Sequence, residues 1–400
     1  MPDTPTTDQT PIHIIAHRDG GHITRIEMSL PARGWMGGTV IGLEPATALR
    51  QLGEQASHSP RAHTRALGFA CQAAAGEPAP SRDIRFAIER ELAAEAADTH
   101  LRRLLIDWPQ QFGFDARHSR FAEFHRRLSG AHSAESAFTL GGEVLDLVAR
   151  ELLAGFFNQI RMPHGIGEFI ERVNAGGSLG SIMAELIALG ASGPPCGGAT
   201  PLLGTLSAAA WATTVGGWPG TQFIARPTYA GEPAETGPLA RHAASPLVRL
   251  LLDRGHRVSA RLFAKAIEVA DCASRMRYPF TDDVPPLLDT AAAGPHTGVA
   301  RVETARGVLL CWVRLAAGVI ADCAIIPAGA WNLHPGGVFY REAMSRSARP
   351  EDHAAAQQRL SVLALALDPS LPHVIEVVED ASGEPGAPAA LSPPGAGRRR

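Results

Sequence analysis

The residues with which this chain could bind a metal or attack a substrate are few and scattered. Its five cysteines, Cys71, Cys196, Cys272, Cys311 and Cys323, form an odd set with no Cys-x-x-Cys pair, which speaks against a zinc ribbon, a thioredoxin-type dithiol and a dense disulfide scaffold. The 16 histidines stand singly, and a lone histidine needs a partner before it counts as a ligand. No His-Glu-x-x-His or Walker motif occurs, so the common zincin and nucleoside-triphosphate signatures are missing. The cluster Gly193-Pro194-Pro195-Cys196-Gly197-Gly198 lacks a following Gly-Lys-Ser/Thr and reads as an irregular loop. What remains is a guanidinium in Val302-Glu303-Thr304-Ala305-Arg306-Gly307. Arginine is always charged and presents a planar fork of donors, so Arg306 suits an anionic acceptor; a salt bridge to Glu303 is the other reading.

The elements that must position these groups are mostly helical. Apolar residues Ile84, Ile88, Leu92, Ala96, Leu101, Leu104, Leu105 and Trp108 recur at helical spacing from Ser81 until Pro109, where a proline should stop the helix. Similar patterns predict helices over Ala134 to Phe157, Ile166 to Val173, Ser181 to Leu189, Ser245 to Met276 and Glu351 to Leu367. Ile12 to Leu30 reads as a hairpin turning at Asp19-Gly20-Gly21, and Val299 to Ile326 as a second hairpin turning at Ala316-Ala317-Gly318. The stretch from Gly190 to Gly237 should be mainly loop and short strand.

Composition sets outer limits. With 400 residues, 45% of them hydrophobic and a net charge of -3, the chain should bury a large core and present no general polyanion surface, so no nucleic acid is expected as a partner. Lys265 is the sole lysine. Residues 1–10 and the Pro/Gly/Ala-rich tail 381–400, ending in three arginines, are expected to be disordered around one domain, 11–380. Neither a secretory signal nor an 18-residue apolar run is visible, so a cytoplasmic protein without membrane attachment is expected.

Four segments in order resemble the large subunit of nickel-iron hydrogenases and, within that superfamily, the accessory proteins of the HupK/HoxV type. Arg65-Ala66-Leu67-Gly68-Phe69-Ala70-Cys71 is similar to the N-terminal Arg-x-Cys-Gly-x-Cys ligand motif. With Arg65 and Gly68 as anchors, Leu67 and Ala70 replace both cysteines; with Cys71 as the second cysteine, those anchors lose their match. The histidine expected four residues later is replaced by Ala75. Thr99-His100-Leu101-Arg102-Arg103-Leu104-Leu105-Ile106-Asp107-Trp108-Pro109 looks like the helix end carrying His and Asp-Trp, although a packed helix with a core tryptophan explains it equally. Val302 to Gly307, Cys311-Trp312 and Ala330-Trp331-Asn332-Leu333-His334-Pro335 resemble the Val-Glu-Ala-Pro-Arg-Gly, His-Trp and Thr-Trp-Asn-x-x-Pro series. Asp368-Pro369-Ser370-Leu371-Pro372-His373-Val374-Ile375-Glu376 looks like Asp-Pro-Cys-x-x-Cys-x-x-His. The string Ile23-Thr24-Arg25-Ile26-Glu27 is similar to the family's Thr-Arg-Ile-Glu, but also reads as an alternating surface strand.

The resemblance implies an α+β, mainly helical fold, a helix-bundle core flanked by short β-hairpins. It places Arg306 where the family's arginine faces the iron's cyanide ligands, and Ser370 and His373 where two thiolates would be. A nickel-iron centre needs four thiolates, because soft sulfur holds the metals, and at most one, Cys71, remains. The chain is therefore expected not to be an enzyme, and to hold no permanent cofactor and no nickel. The implied role is a hydrogenase maturation factor, a scaffold or chaperone for assembly or delivery of the iron-cyanide-carbonyl unit. Cys71 would be its transient iron ligand, with Arg306, Ser370 and His373 lining the cleft. Its implied partners are the immature hydrogenase large subunit and the small iron-carrying maturation chaperone. The alternative is a metal-free structural subunit of a hydrogenase-related or quinone-oxidoreductase complex.

Overall fold

The structure is a computed structural model that describes residues 11–29, 36–130, 133–154, 156, 163–279, 284–345 and 350–380. The segments expected to be disordered, 1–10 and 381–400, lie outside the described residues, as do Leu30 and Phe157 at the ends of two expected elements.

Helices fill the first two thirds: α1 (Pro45–Gln55), α2 (Pro60–Ala75), α3 (Arg82–Arg102), α4 (Trp108–Gln111), α5 (His118–Leu128), α6 (Ala134–Leu147), α7 (Ile166–Asn174), α8 (Ser178–Ala188), α9 (Ala208–Val215), α10 (Thr221–Ala225), α11 (Pro238–His242), α12 (Pro246–Asp253) and α13 (Arg257–Arg277). After them come β3 (Leu288–Gly294), β4 (Thr297–Thr304), β5 (Gly307–Ala316) and β6 (Val319–Ile326), then α14 (Ala328–Asn332), α15 (Val338–Ala343) and α16 (His353–Leu367). The chain opens with β1 (Ile12–Asp19) and β2 (His22–Ser29), and β7 (His373–Glu379) follows α16.

The long third helix starts as its sequence dictates, with the Ser81 side chain accepting from the Ile84 amide. Pro109 does not end it. The chain passes through a π-turn at Arg103–Asp107 and resumes helix at Trp108, so Pro109 falls in the first turn of α4, where a missing amide proton costs nothing. The single helix expected over Ser245 to Met276 is two, because Gly255 at φ +78° breaks the run between α12 and α13. The helix expected over Ala134 to Phe157 stops at Leu147 and runs into a π-turn at Val148–Leu152.

Helix α13 is the axis of the molecule. It is buried along most of its length and packs against α3, α6, α11, α12 and α16. Arg261, Lys265, Glu268 and Cys272 recur on it at intervals of four, three and four, which puts three charged groups on one buried stripe. Such a stripe is tolerable only if every charge meets a partner.

The span expected as a second hairpin, Val299 to Ile326, holds three strands of a four-stranded meander, order β3-β4-β5-β6, every neighbour antiparallel. Strand β4 is buried throughout and β5 over its first seven residues, so neither shows the apolar-polar alternation of a half-exposed strand. Ala300, Val302, Leu309, Cys311 and Val313 join the main helical core, while Val299, Leu310 and Trp312 join a cluster with Trp211 and Trp331. The second sheet, order β2-β1-β7, joins the two ends of the chain: β7 lies parallel to β1 with Ile12 opposite His373. This pairing brings the Asp368 to His373 segment back onto the helical body.

Candidate functional site

Asp368 is the centre of a buried charge cluster. It follows α16 as its C-cap in the left-handed region, φ 54° and ψ 62°, with its side chain fully buried. A non-glycine residue there is strained by about 1–2 kcal/mol, least for Asp and Asn. Arg103 meets its Oδ1 through Nε at 2.8 Å and Nη2 at 2.7 Å, and the Arg306 Nε donates to the same oxygen at 3.2 Å. The sole lysine, Lys265 from the stripe of α13, lies 3.4 Å from Oδ2. The π-turn after α3 aims Arg103, which also donates to Asp107 at 2.6 Å.

The electrostatics follow from this crowding. Burial alone would raise the Asp368 pKa, but Arg306, Lys265 and Arg103 hold it well below the usual carboxylate range. Burial lowers that of Lys265, against the pull of Asp368. Three cations thus face one buried carboxylate, and of the three Asp107 answers only Arg103. Arg306 sits in the two-residue turn between β4 and β5 and engages Asp368 through Nε alone; its two Nη groups donate to no described residue.

Histidines ring the cluster. His58, half-buried, is pushed down to about 4, first by burial and then by Arg306 and Arg103. His63 donates from Nδ1 to the Ser59 carbonyl, 2.9 Å away, and is lowered by burial, with Arg306 contributing. His373 is lowered by burial and by Arg103. His100, fully buried on α3, has no hydrogen-bond partner among the described residues at either ring nitrogen and is pushed down to about 3 by burial and then by Lys265, so it sits there neutral. The space left beside Lys265 and Arg306 is about 10 Å³, room for about one water molecule.

The sequence-predicted site residues do not all meet here. Arg306 does, but its partner is Asp368, and Glu303 pairs instead with Arg241 at 2.7 Å; the Glu303 reading is corrected. Ser370 and His373 follow Asp368 closely, with the Ser370 hydroxyl packed near Gly329. Cys71 is elsewhere. It lies two turns along α2 from His63, about 12 Å at 1.5 Å per residue, among Cys311 of β5 and Cys323 of β6, and burial pushes its thiol up to about 12. Burial there favours the neutral thiol over the thiolate. Cys272 is buried on α13 and Cys196 is exposed in its loop.

The segment that does reach the cluster from the N-terminal half is His58-Ser59, with His63. Ser59 is the N-cap of α2, in the left-handed region at φ 49°, and the half-buried Glu95 closes that helix end by accepting from the amides of Arg61 and Ala62 at 2.8 and 3.0 Å. His63 stands four residues after Ser59, the spacing that Cys71 lacks. In that register Ala56 and Ser59 take the two cysteine positions of the N-terminal motif. The signal for it is Ser-Pro-x-x-His, a proline-started helix with a histidine one turn in, which the nearby cysteine outweighs in the sequence. With Ser370 and His373 at the other two positions, no thiol of the described residues borders Arg306, and among those residues no group of three or more His, Cys, Asp or Glu is spaced to hold a metal ion. A resident nickel-iron centre, which needs thiolate donors, does not fit these residues.

The chain is 28% identical over 372 residues to the hydrogenase expression/formation protein HoxV of Cupriavidus necator, covering 85% of this chain and 93% of that protein. It superposes on the nickel-iron-selenium hydrogenase of Desulfovibrio vulgaris Hildenborough with a TM-score of 0.57 at 17% identity, covering 88% and 94% of the two chains. On the enzyme of Desulfomicrobium baculatum the TM-score is 0.59 at 16% identity, with the same coverage. The chain is thus similar to HoxV over most of its length and has the fold of the hydrogenase large subunits. No family model matches it. The expected architecture, a helical core with short strands from both chain ends, is the one observed. No helix among the described residues is long and apolar enough to cross a membrane.

Proposed function

We propose that this chain is a non-catalytic maturation factor of nickel-iron hydrogenase, a large-subunit-shaped scaffold for assembly or delivery of the iron-cyanide-carbonyl unit. The observation that carries this reading is the charge imbalance at Arg306: two Nη groups without a partner among the described residues, backed by Arg103 and Lys265, beside ligand positions that hold Ala56, Ser59, Ser370 and His373 in place of thiols. Charge-assisted hydrogen bonds from guanidinium to cyanide nitrogens hold a fragment reversibly, whereas four thiolates would retain it. Cys71 has no part in this. The space beside Arg306 is narrow and closed by Thr236, Pro238, Leu239 and Leu367, so loading requires it to widen. The partners that suit the role are the immature large subunit and the small iron-carrying chaperone, in the cytoplasm.

The test is anaerobic purification from a hydrogenase-expressing host with the maturation partners co-expressed, followed by infrared spectroscopy and metal analysis. Cyanide and carbonyl bands with bound iron, both lost in Arg306→Gln, are expected. Absence of iron and bands from the wild-type protein overturns the scaffold reading, and stoichiometric co-purification with an iron-sulfur subunit would replace it with a metal-free structural subunit.

A further inference from the structure

Arg306 is held in place less by its own side chain than by what grips its turn. The turn residues are pinned internally by Thr304, whose Oγ1 donates to the Gly307 carbonyl at 2.8 Å and accepts from the Arg306 amide at 3.2 Å. Against this turn lies the loop 234–237. The approach is so close that a Cβ on Gly237 would sit 2.9 Å from the Arg306 carbonyl oxygen, and one on Gly307 would sit 2.5 Å from the Thr236 methyl. Both glycines also have positive φ, +119° and +130°, so neither position tolerates a side chain. The Thr236 hydroxyl accepts from the Val308 amide at 3.0 Å.

One side chain ties the three segments together. Asn332, the last residue of α14 and 4% exposed, accepts from the Thr236 amide through Oδ1 at 3.0 Å. Its Nδ2 donates to the Thr236 carbonyl at 3.0 Å and to the Arg306 carbonyl at 3.4 Å. The carboxamide thus pairs with residue 236 as a neighbouring strand would, and gives its second donor to the residue whose guanidinium faces Asp368. Only a carboxamide offers an acceptor and two donors in this arrangement.

We infer that Asn332, acting with Thr236, is the positioning residue of Arg306, fixing the turn so that Nε stays on Asp368 and the two Nη groups remain directed away from the protein's own acceptors. What Arg306 then holds rests on the maturation reading; its placement does not, and is testable on the purified chain alone. His58 is the reporter. The charged groups that face it are Arg306 from the β4-β5 turn, Arg103 and Arg102 from the end of α3, and Asp368 from the end of α16.

Histidine-selective NMR titrations of wild type, Asn332→Asp, Arg306→Gln and the double variant make the test. Asn332→Asp is nearly isosteric, but it turns an acceptor toward two carbonyl oxygens and so expels the turn. The His58 midpoint, about 4 in wild type, should rise in Arg306→Gln and in Asn332→Asp, and the two changes should not add in the double variant. His256, lowered by burial alone, should not move in any of them. A folded Asn332→Asp protein with an unchanged His58 midpoint, or full additivity in the double variant, overturns the proposal. Should Asn332→Asp not fold, Thr236→Val, which removes the acceptor of the Val308 amide and keeps the shape, takes its place with the same readout: a raised, non-additive His58 midpoint supports the proposal, and an unchanged or additive one overturns it. Missing infrared bands in the wild-type protein would sink the maturation reading and leave the His58 result standing.

Discussion

Helix α13 feeds two buried charge networks one helical turn apart, and they are built to opposite plans. At Arg261, 3% exposed, the guanidinium lies between two carboxylates: Nε and Nη2 meet Glu235 at 2.7 and 2.8 Å, and Nη1 and Nη2 meet Glu342 at 2.9 and 2.6 Å. Arg257 adds a second cation on Glu342 at 3.2 Å, so two carboxylates answer two guanidinia. At Lys265 three cations converge on Asp368, and Arg306 keeps donors in reserve. A charge-balanced network has no surplus charge to offer an anion, and what it does is lock α13 to α15 and the loop before α11. A network short of negative charge can still accept an anion. The networks share a helix, a degree of burial and a residue vocabulary; stoichiometry separates scaffold from site.

This contrast can be broken by four experiments. Arg261→Met should have the largest effect, because it leaves Glu235 and Glu342 buried without their main partner, a change that costs about 3–5 kcal/mol; urea unfolding should show the loss, and no added anion should restore it. Asp368→Asn should destabilise by less, toward the lower end of about 3–5 kcal/mol, because Asp107 still answers Arg103 and the carboxamide oxygen can still accept a hydrogen bond. Here millimolar phosphate or sulfate should recover part of the stability, since the three cations would accept a substitute. Equal anion rescue in both variants would erase the distinction between the networks.

The third experiment uses pH. The Asp368 pKa is depressed in the fold, so its stabilisation is present above the unfolded value near 3.8 and is lost as pH falls through the folded one. Glu95, at the start of α2, goes the other way. Burial raises its pKa from 4.5 to about 7, against the two amides it accepts from, so its contribution is whole below about 4.5 and declines as pH rises through about 7. Stability of Glu95→Gln should therefore be flatter than wild type between those values, while Asp368→Asn should flatten only the acid limb. A wild-type curve with no Glu95-dependent slope would remove this difference. The smallest effect is reserved for Cys71→Ala, about 1 kcal/mol for a buried thiol, with iron content and infrared bands unchanged. Loss of the bands in this variant would put the thiol back beside Arg306.

Much of the fold is legible in the chain. Both hairpin turns, the start of α3 and the spans of α3, α6, α7, α8, α13 and α16 follow from periodicity, caps and glycines, whereas α1, α2 and α5 go unread and α9 and α10 lie in the stretch Gly190 to Gly237 read as loop and short strand. The failures have local causes. Pro109 reads as a stop because a proline breaks a continuous α-helix, yet after a π-turn it merely begins another. Ser245 to Met276 looks continuous because apolar residues keep their spacing across Gly255. Strands β4 and β5 read as a single arm because neither alternates over its buried length, and β3 goes unseen. At the site, order along the chain singles out Arg306, Asp368, Ser370 and His373, but a cysteine draws the N-terminal motif twelve residues beyond Ser59.

By itself the sequence determined the composition of the site: an obligately charged arginine after Glu-Thr-Ala, an aspartate before proline, and hydroxyl or imidazole groups in place of thiols at the C-terminal ligand positions. Those are properties of residue types and short spacings, which no packing can alter. Only the tertiary structure decided the pairing. That Arg306 meets Asp368 and not Glu303, that the one lysine joins them from the middle of α13, and that Cys71 is left among Cys311 and Cys323, all depend on contacts between segments far apart in the chain, 62 to 265 residues in the case of the partners of Asp368. In a low-dielectric interior a charge's behaviour is set by the neighbours that folding brings to it, and the sequence names the charges without naming those neighbours.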